Sequence, residues 1–181
     1  MSSRKLRTPI VRKRERSRCE TNCASCCLKV VGSHEFEVVS GDELSDDRCS
    51  VRIVATAADC FVAIKLDVAG ASYRRTPDGD GPMCDFAVVA RIGSCYHVLV
   101  VELKTGSAPT HALKQLEGGL SVLSSVLPPL ARHEFRSVIA SRGQDDKLRR
   151  ILSGGKRLRF RGTASLPQVV RCGAEIKVCA A

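Results

Sequence analysis

The chain predicts an α/β domain, and three observations carry that prediction. Residues 51 to about 140 alternate strand, hairpin, helix and strand. Two apolar runs flank the turn signal Arg91-Ile92-Gly93-Ser94, and a leucine-striped run ends at Pro128-Pro129. At 181 residues there is room for one domain and a tail, read as a basic arm at 1–18 and a single domain at 19–181. With no Trp, the core must be built from Val, Leu, Ile and Ala.

The elements follow in order. Leu28 to Val31 and Phe36 to Val39 are short strand-like runs, and Asp42 to Asp47 reads as an acidic turn. Phe61 to Val68 is a strand, and Gly70 to Gly81, holding Pro77-Asp78-Gly79-Asp80-Gly81, is a loop. Cys84 to Ala90 and Cys95 to Leu103 form the hairpin. A helix is predicted from Thr110 to Leu127, with Thr110 as N-cap and Leu113, Leu116, Leu120 and Leu123 as its apolar stripe. Phe135 to Ala140 is a strand entered after that helical crossover. Ser153-Gly154-Gly155 is a loop, and Arg157-Leu158-Arg159-Phe160-Arg161 alternates as a strand with one cationic face. No internal repeat is present.

The hairpin carries the chemistry. Centred near Gly93 and Ser94, it sets residue 85 about opposite residue 102. Strand side chains alternate, so Glu102 and Lys104 share a face and Leu103 points away. Asp85, Glu102 and Lys104 thus converge at the open end of the hairpin, as a divalent-metal site with an ammonium beside it. A plain strand-end salt bridge between Glu102 and Lys104 is the other way to read the pair.

The order Pro82-Met83-Cys84-Asp85, apolar strand, Glu102-Leu103-Lys104 and trailing helix resembles the PD-(D/E)XK nuclease superfamily over roughly residues 60 to 140. Met83 and Cys84 separate Pro82 from Asp85, which departs from the pattern at one of its least constrained points. The resemblance implies a restriction-endonuclease-like fold, a mixed central β-sheet flanked by helices. It implies hydrolysis of phosphodiester bonds with Mg²⁺ (or Mn²⁺), in DNA first and with RNA left open, in a restriction, phage-defence, repair or mobile-element setting. Asp85, Glu102 and the Leu103 carbonyl would hold the metal, and Lys104 would orient the water or neutralise charge on the phosphate. Gln115, one turn after His111, sits where many members carry a Gln that supports the site or touches DNA. An upstream acid is also usual; Glu43 is the nearest candidate, with Glu35 and Glu37 behind it, whereas Asp67 reads as a strand-end residue. Gly118-Gly119 inside the helix costs roughly 1 kcal/mol per Gly against Ala, which close approach of a phosphate backbone or a neighbouring element, or a kink, would explain.

Charge is uneven. Of the formal +10, residues 1–18 carry eight cations against Glu15, a net +7 that includes Arg12, Lys13 and Arg14. This aromatic-free arm is expected to be disordered and suits phosphate backbones; a solubilising tail or a targeting signal has the same composition. A second run, from Lys147 to Arg161, holds no acid; Arg157, Arg159 and Arg161 are its candidate nucleic-acid contacts, and an ordinary solvent-exposed face is the other reading. No stretch reaches the roughly 18 apolar residues of a membrane span, and no apolar run near the start marks a secretory signal. The expected location is the cytoplasm and the expected partner is nucleic acid, with the oligomer open and a homodimer the form that double-strand cutting would need.

Ten cysteines are many for such a chain. Disulfides are not expected in a reducing compartment, so metal ligation is the first alternative to free thiols. Cys19, Cys23 and Cys26 match C-x3-C-x2-C, but the chain is too short for a radical-SAM barrel. An iron–sulfur cluster would need distant partners such as Cys172 and Cys179, and zinc would take Cys19, Cys23 and Cys26 or Cys27 with a fourth ligand such as Cys49. Cys60, Cys84 and Cys95 read as small buried residues. Two rivals to the enzyme stay open: a non-catalytic nucleic-acid-binding module on the same fold, and a protein-interaction component.

Overall fold

A computed structural model of the chain describes residue 27 and residues 36–46, 48–56, 58–69, 71, 73, 81–104, 109–130, 132–143, 150 and 152–178. Its centre is a six-stranded mixed sheet in the order β1-β4-β5-β6-β7-β10. These strands are β1 (Glu37–Val39), β4 (Cys60–Lys65), β5 (Phe86–Ile92), β6 (Cys95–Lys104), β7 (His133–Ser141) and β10 (Gln168–Arg171). Strands β4, β5 and β6 run antiparallel in succession. The helix α1 (Pro109–Val126) then carries the chain across, so that β7 lies parallel to β6, and β10 continues parallel to β7. A parallel neighbour requires such a crossover.

The β5–β6 hairpin closes through two residues, with Ile92 opposite Cys95 and Phe86 opposite Val101. Gly93 opens the turn at φ 58, the positive value that the first position of this turn type demands. Its N–H donates to Asp59 Oδ2 at 2.9 Å. One step past Phe86 and Val101, residues 85 and 102 face each other, as the sequence predicts.

Both faces of the central sheet are covered, which is why β5 and β6 read as nearly unbroken apolar runs. On one face Leu113, Leu116, Leu120 and Leu123 of α1 pack on Val62, Ile64, Ala87, Val89, Val98 and Val100. On the other, a second sheet in the order β11-β3-β2 supplies Leu44, Val51, Ile53 and Ile176 against Val88, Leu99, Val101 and Val138. Its strands are β2 (Glu43–Asp46), β3 (Cys49–Val54) and β11 (Glu175–Lys177). The fold is therefore a mixed α/β arrangement of mainly β character. Among the described residues α1 is the one helix of this size; a three-stranded sheet, rather than further helices, covers the opposite face. A short hairpin of β8 (Leu158–Phe160) and β9 (Thr163–Ser165) completes the described strands.

Three local expectations change. Within the acidic stretch expected as a turn, Glu43 to Asp46 instead pair antiparallel with β3, because Leu44 is buried in the second core; Asp47 lies outside the described residues. The helix opens at Pro109, so Thr110 lies inside it and does not cap it; the first turn leaves N–H groups unpaired, and proline is tolerated there. Cys49 and Cys172 form a disulfide with Cα atoms 5.1 Å apart, where free thiols or metal ligands were expected. The cause is topological: β11 pairs parallel with β3, which brings the turn after β10 beside the start of β3. The glycine pair is explained by a neighbouring element. A Cβ on Gly118 would stand 2.1 Å from the Pro82 carbonyl oxygen, and one on Gly119 2.3 Å from Cys84 Sγ.

Candidate active site

The site lies where the β5–β6 hairpin opens beside the first turns of α1. Asp85 enters it from the segment leading into β5, with its backbone carbonyl accepting from Leu66 N at 2.8 Å. Its carboxylate Oδ2 accepts from Leu103 N at 2.6 Å, so the strand that carries Glu102 also fixes Asp85. Glu102 is 1% exposed. Lys104 Nζ sits 2.5 Å from Glu102 Oε1 and donates to Gln115 Oε1 at 2.5 Å. Gln115 Nε2 in turn donates to the Met83 carbonyl at 3.2 Å, and His111 Nδ1 lies 2.8 Å from Gln115 Oε1. The structure thus joins Glu102, Lys104 and Gln115 in one side-chain network with His111 as its outermost member, and Asp85 is fixed beside it through the Leu103 N–H. Leu103 contributes its N–H and turns its side chain into the opposite core.

One atom of this network is left over. Glu102 Oε2 is buried and meets no hydrogen-bond partner among the described residues. Burial pushes the Glu102 carboxyl up to about 8, helped by the neighbouring charge of Asp85 and opposed by Lys104. Asp85 is pushed up to about 6, again chiefly by burial; the Leu103 N–H and Lys104 oppose the shift, and Asp46 and Asp67 add to it. The Cys84 thiol, buried beneath the two acids, is raised well above its ordinary range by burial and by Glu102 and Asp85, so it stays protonated.

Asp46 was hidden by its neighbourhood in the sequence. It ends β2 and is exposed, yet its charge reaches Asp85. Glu43, at the other end of β2, pairs across from Arg52, and Glu37 lies on the edge strand β1. Glu35 lies outside the described residues. Among the described residues no group of three or more His, Cys, Asp or Glu side chains converges on one point. The carboxylate oxygens that the site offers are Glu102 Oε2, which lacks a hydrogen-bond partner among the described residues, and those of Asp85 across the hairpin.

The remaining candidates scatter. Arg157 and Arg159 are exposed. Arg161 turns inward instead: its guanidinium donates to the Pro128 carbonyl at 2.6 Å, to Ser124 O at 3.0 Å and to Leu127 O, closing the C-terminus of α1. Arg12, Lys13, Arg14, Cys19, Cys23, Cys26, Cys179, Leu28 to Val31, Lys147 and Arg149 lie outside the described residues. Cys172 is spent on Cys49, so neither serves a zinc or iron–sulfur site. Cys27 Sγ lies 2.8 Å from Cys60 Sγ. Cys60 and Cys84 are buried, and Cys95 is partly exposed.

No protein-family model matches the chain, and neither the curated proteins nor the solved structures contain a match. No helix among the described residues is long and apolar enough to cross a membrane.

Proposed function

We propose that the chain is a Mg²⁺- or Mn²⁺-dependent nuclease of the PD-(D/E)XK type that hydrolyses phosphodiester bonds in DNA. The observation that carries this is Glu102 Oε2, a buried carboxylate oxygen without a partner, beside Asp85 and with Lys104 already on the other oxygen. A buried polar oxygen that lacks a hydrogen-bond partner is costly, and a hard cation relieves that cost through oxygen ligands. Asp85 and Glu102 would hold the ion, with the Leu103 carbonyl on the same strand as a third oxygen. When bound, such an ion supplies Lewis-acid stabilisation of the phosphate and an acidified water. Lys104, fixed between two acceptors, neutralises charge that develops on the phosphate. Gln115 keeps Lys104 aimed, because its own amide is anchored on Met83. Arg157 and Arg159 offer exposed cations for the phosphate backbone, to which the arm at 1–18 would add.

The second reading, a non-catalytic nucleic-acid-binding module, is favoured by one observation: two acids, not three, meet among the described residues. A single experiment separates the two. Purified wild type, Glu102→Ala and Lys104→Ala are incubated with plasmid, linear and single-stranded DNA in Mg²⁺, Mn²⁺ or EDTA. Metal-dependent cutting that both substitutions abolish is the expected result. Salt-sensitive binding without cutting, indifferent to Mg²⁺ and to Glu102, sinks the enzyme and supports the module.

A further inference from the structure

The hydrogen-bond network determines which nitrogen of His111 is free. The Met83 carbonyl can only accept, so the atom of Gln115 facing it at 3.2 Å must be the amide nitrogen. That fixes the amide, and Gln115 Oε1 faces Lys104 and His111. An amide oxygen cannot donate, so His111 Nδ1 must carry the hydrogen of that 2.8 Å contact. In the neutral ring Nε2 then holds a bare lone pair, on an exposed residue one Gln115 amide away from Lys104.

The other groups of the site are committed. Lys104 Nζ is taken up between Glu102 Oε1 and Gln115 Oε1, each at 2.5 Å. Under the nuclease reading, on which this inference rests, Asp85 and Glu102 are occupied by the cation. We propose that His111 is a catalytic residue, the general base that acts through Nε2, with Gln115 setting its tautomer. Nε2 takes a proton from the attacking water as the water oxygen forms the new P–O bond. The leaving oxygen departs with the electron pair of the broken P–O bond and is protonated from solvent, and the imidazolium returns its proton to solvent. The same Gln115 oxygen thus meets both Lys104 and His111.

The test has two arms, both on the full chain. In the first, long-range ¹H–¹⁵N spectra of the metal-free protein report the His111 ring, assigned by the peaks missing in His111→Asn. The neutral ring is expected as the Nδ1–H tautomer; an Nε2–H tautomer overturns the proposal whatever the activity. In the second, cleavage kinetics compare wild type with His111→Asn, His111→Gln and Lys104→Ala. Asn places an amide nitrogen where Nδ1 lies and preserves the bond to Gln115, but offers no base. The expected loss in kcat is about 100-fold or more for both His111 variants, with KM little changed. If His111→Asn cleaves like wild type while Lys104→Ala does not, the site stands and His111 is only a support for Gln115. If wild type shows no metal-dependent cleavage, the nuclease reading and this inference fail together.

Discussion

Glu102 shows how one residue can be costly to the fold and useful to the site. A carboxylate 1% exposed would rather be protonated, and burial with the Asp85 charge accordingly lifts it to about 8, while Asp85 itself is lifted to about 6. Unfolded carboxylates ionise near 4. Between that pH and about 8 the folded metal-free protein therefore holds more protons than the unfolded chain. By linkage its stability is fullest at the acid end, falls as pH rises through the two folded values and levels off above about 8. The shifts correspond to an effect on the order of several kcal/mol. Under the proposed metal-dependent reading, a divalent ion that binds the deprotonated pair would reverse it, and its stabilisation would be larger at the alkaline end. Melting curves from pH 5 to pH 8, in EDTA and in Mg²⁺, are expected to show the wild type losing more Tm in EDTA than Glu102→Gln does. They should also show Mg²⁺ restoring the wild type alone. Parallel curves for the two proteins in EDTA would rule out this role for the carboxylate.

At the scale of elements, α1 is placed by an absence of side chains. Gly118 and Gly119 let the helix settle onto the Pro82 to Cys84 segment, and that seating is what brings Gln115 within reach of Met83 and Lys104. Helix propensity alone says that Gly118→Ala stabilises by about 1 kcal/mol. A Cβ 2.1 Å from the Pro82 carbonyl oxygen says the reverse, since overpacking against backbone costs about 1–3 kcal/mol. We expect net destabilisation in urea unfolding and, if the proposed nuclease reading holds, reduced cleavage because the Gln115 anchor moves; a gain in stability would mean that the helix is not seated as described. The sequence holds the glycine pair in plain view but not its partner, because the 82–84 segment lies more than thirty residues upstream. The hairpin register, by contrast, is legible from local signals: a two-residue turn with Gly93 fixes the parity that sets Asp85 against Glu102 and aligns Lys104 with it. The second sheet hides for the opposite reason. Glu43-Leu44-Ser45-Asp46 shows one apolar residue in four, and it becomes a strand only through pairing with β3. Arg161 misleads likewise: it stands at φ 46 in the β8–β9 turn, and its charge serves the carbonyls that end α1 rather than an outer cationic face.

Across the whole molecule the central sheet is shared between two cores, one against α1 and one against the second sheet, and the second is the less local. Its strand β11 comes from the end of the chain and pairs with β3, far earlier in sequence, through three residues. Little local propensity holds so short a strand, and the Cys49–Cys172 disulfide, with a sequence separation of 123, ties its approach to the start of β3. Closing so long a loop restricts the unfolded chain, and native disulfides of this kind contribute about 2–4 kcal/mol. For a chain of this size that corresponds to a Tm change of about 5–15 °C. The bond also bears on Asp46, which pairs directly across from Cys49 and whose charge reaches Asp85, so loosening the second sheet relaxes one influence on the site. Wild type without reductant is expected to melt higher by that margin than a Cys49→Ser, Cys172→Ser double variant. Reductant should bring the wild type down to the double variant while leaving the latter nearly unmoved. Equal melting of the two proteins without reductant would show that the second sheet holds without its disulfide, and a large reductant effect on the double variant would move the redox-sensitive contact to other cysteines, with Cys27 and Cys60 the nearest pair.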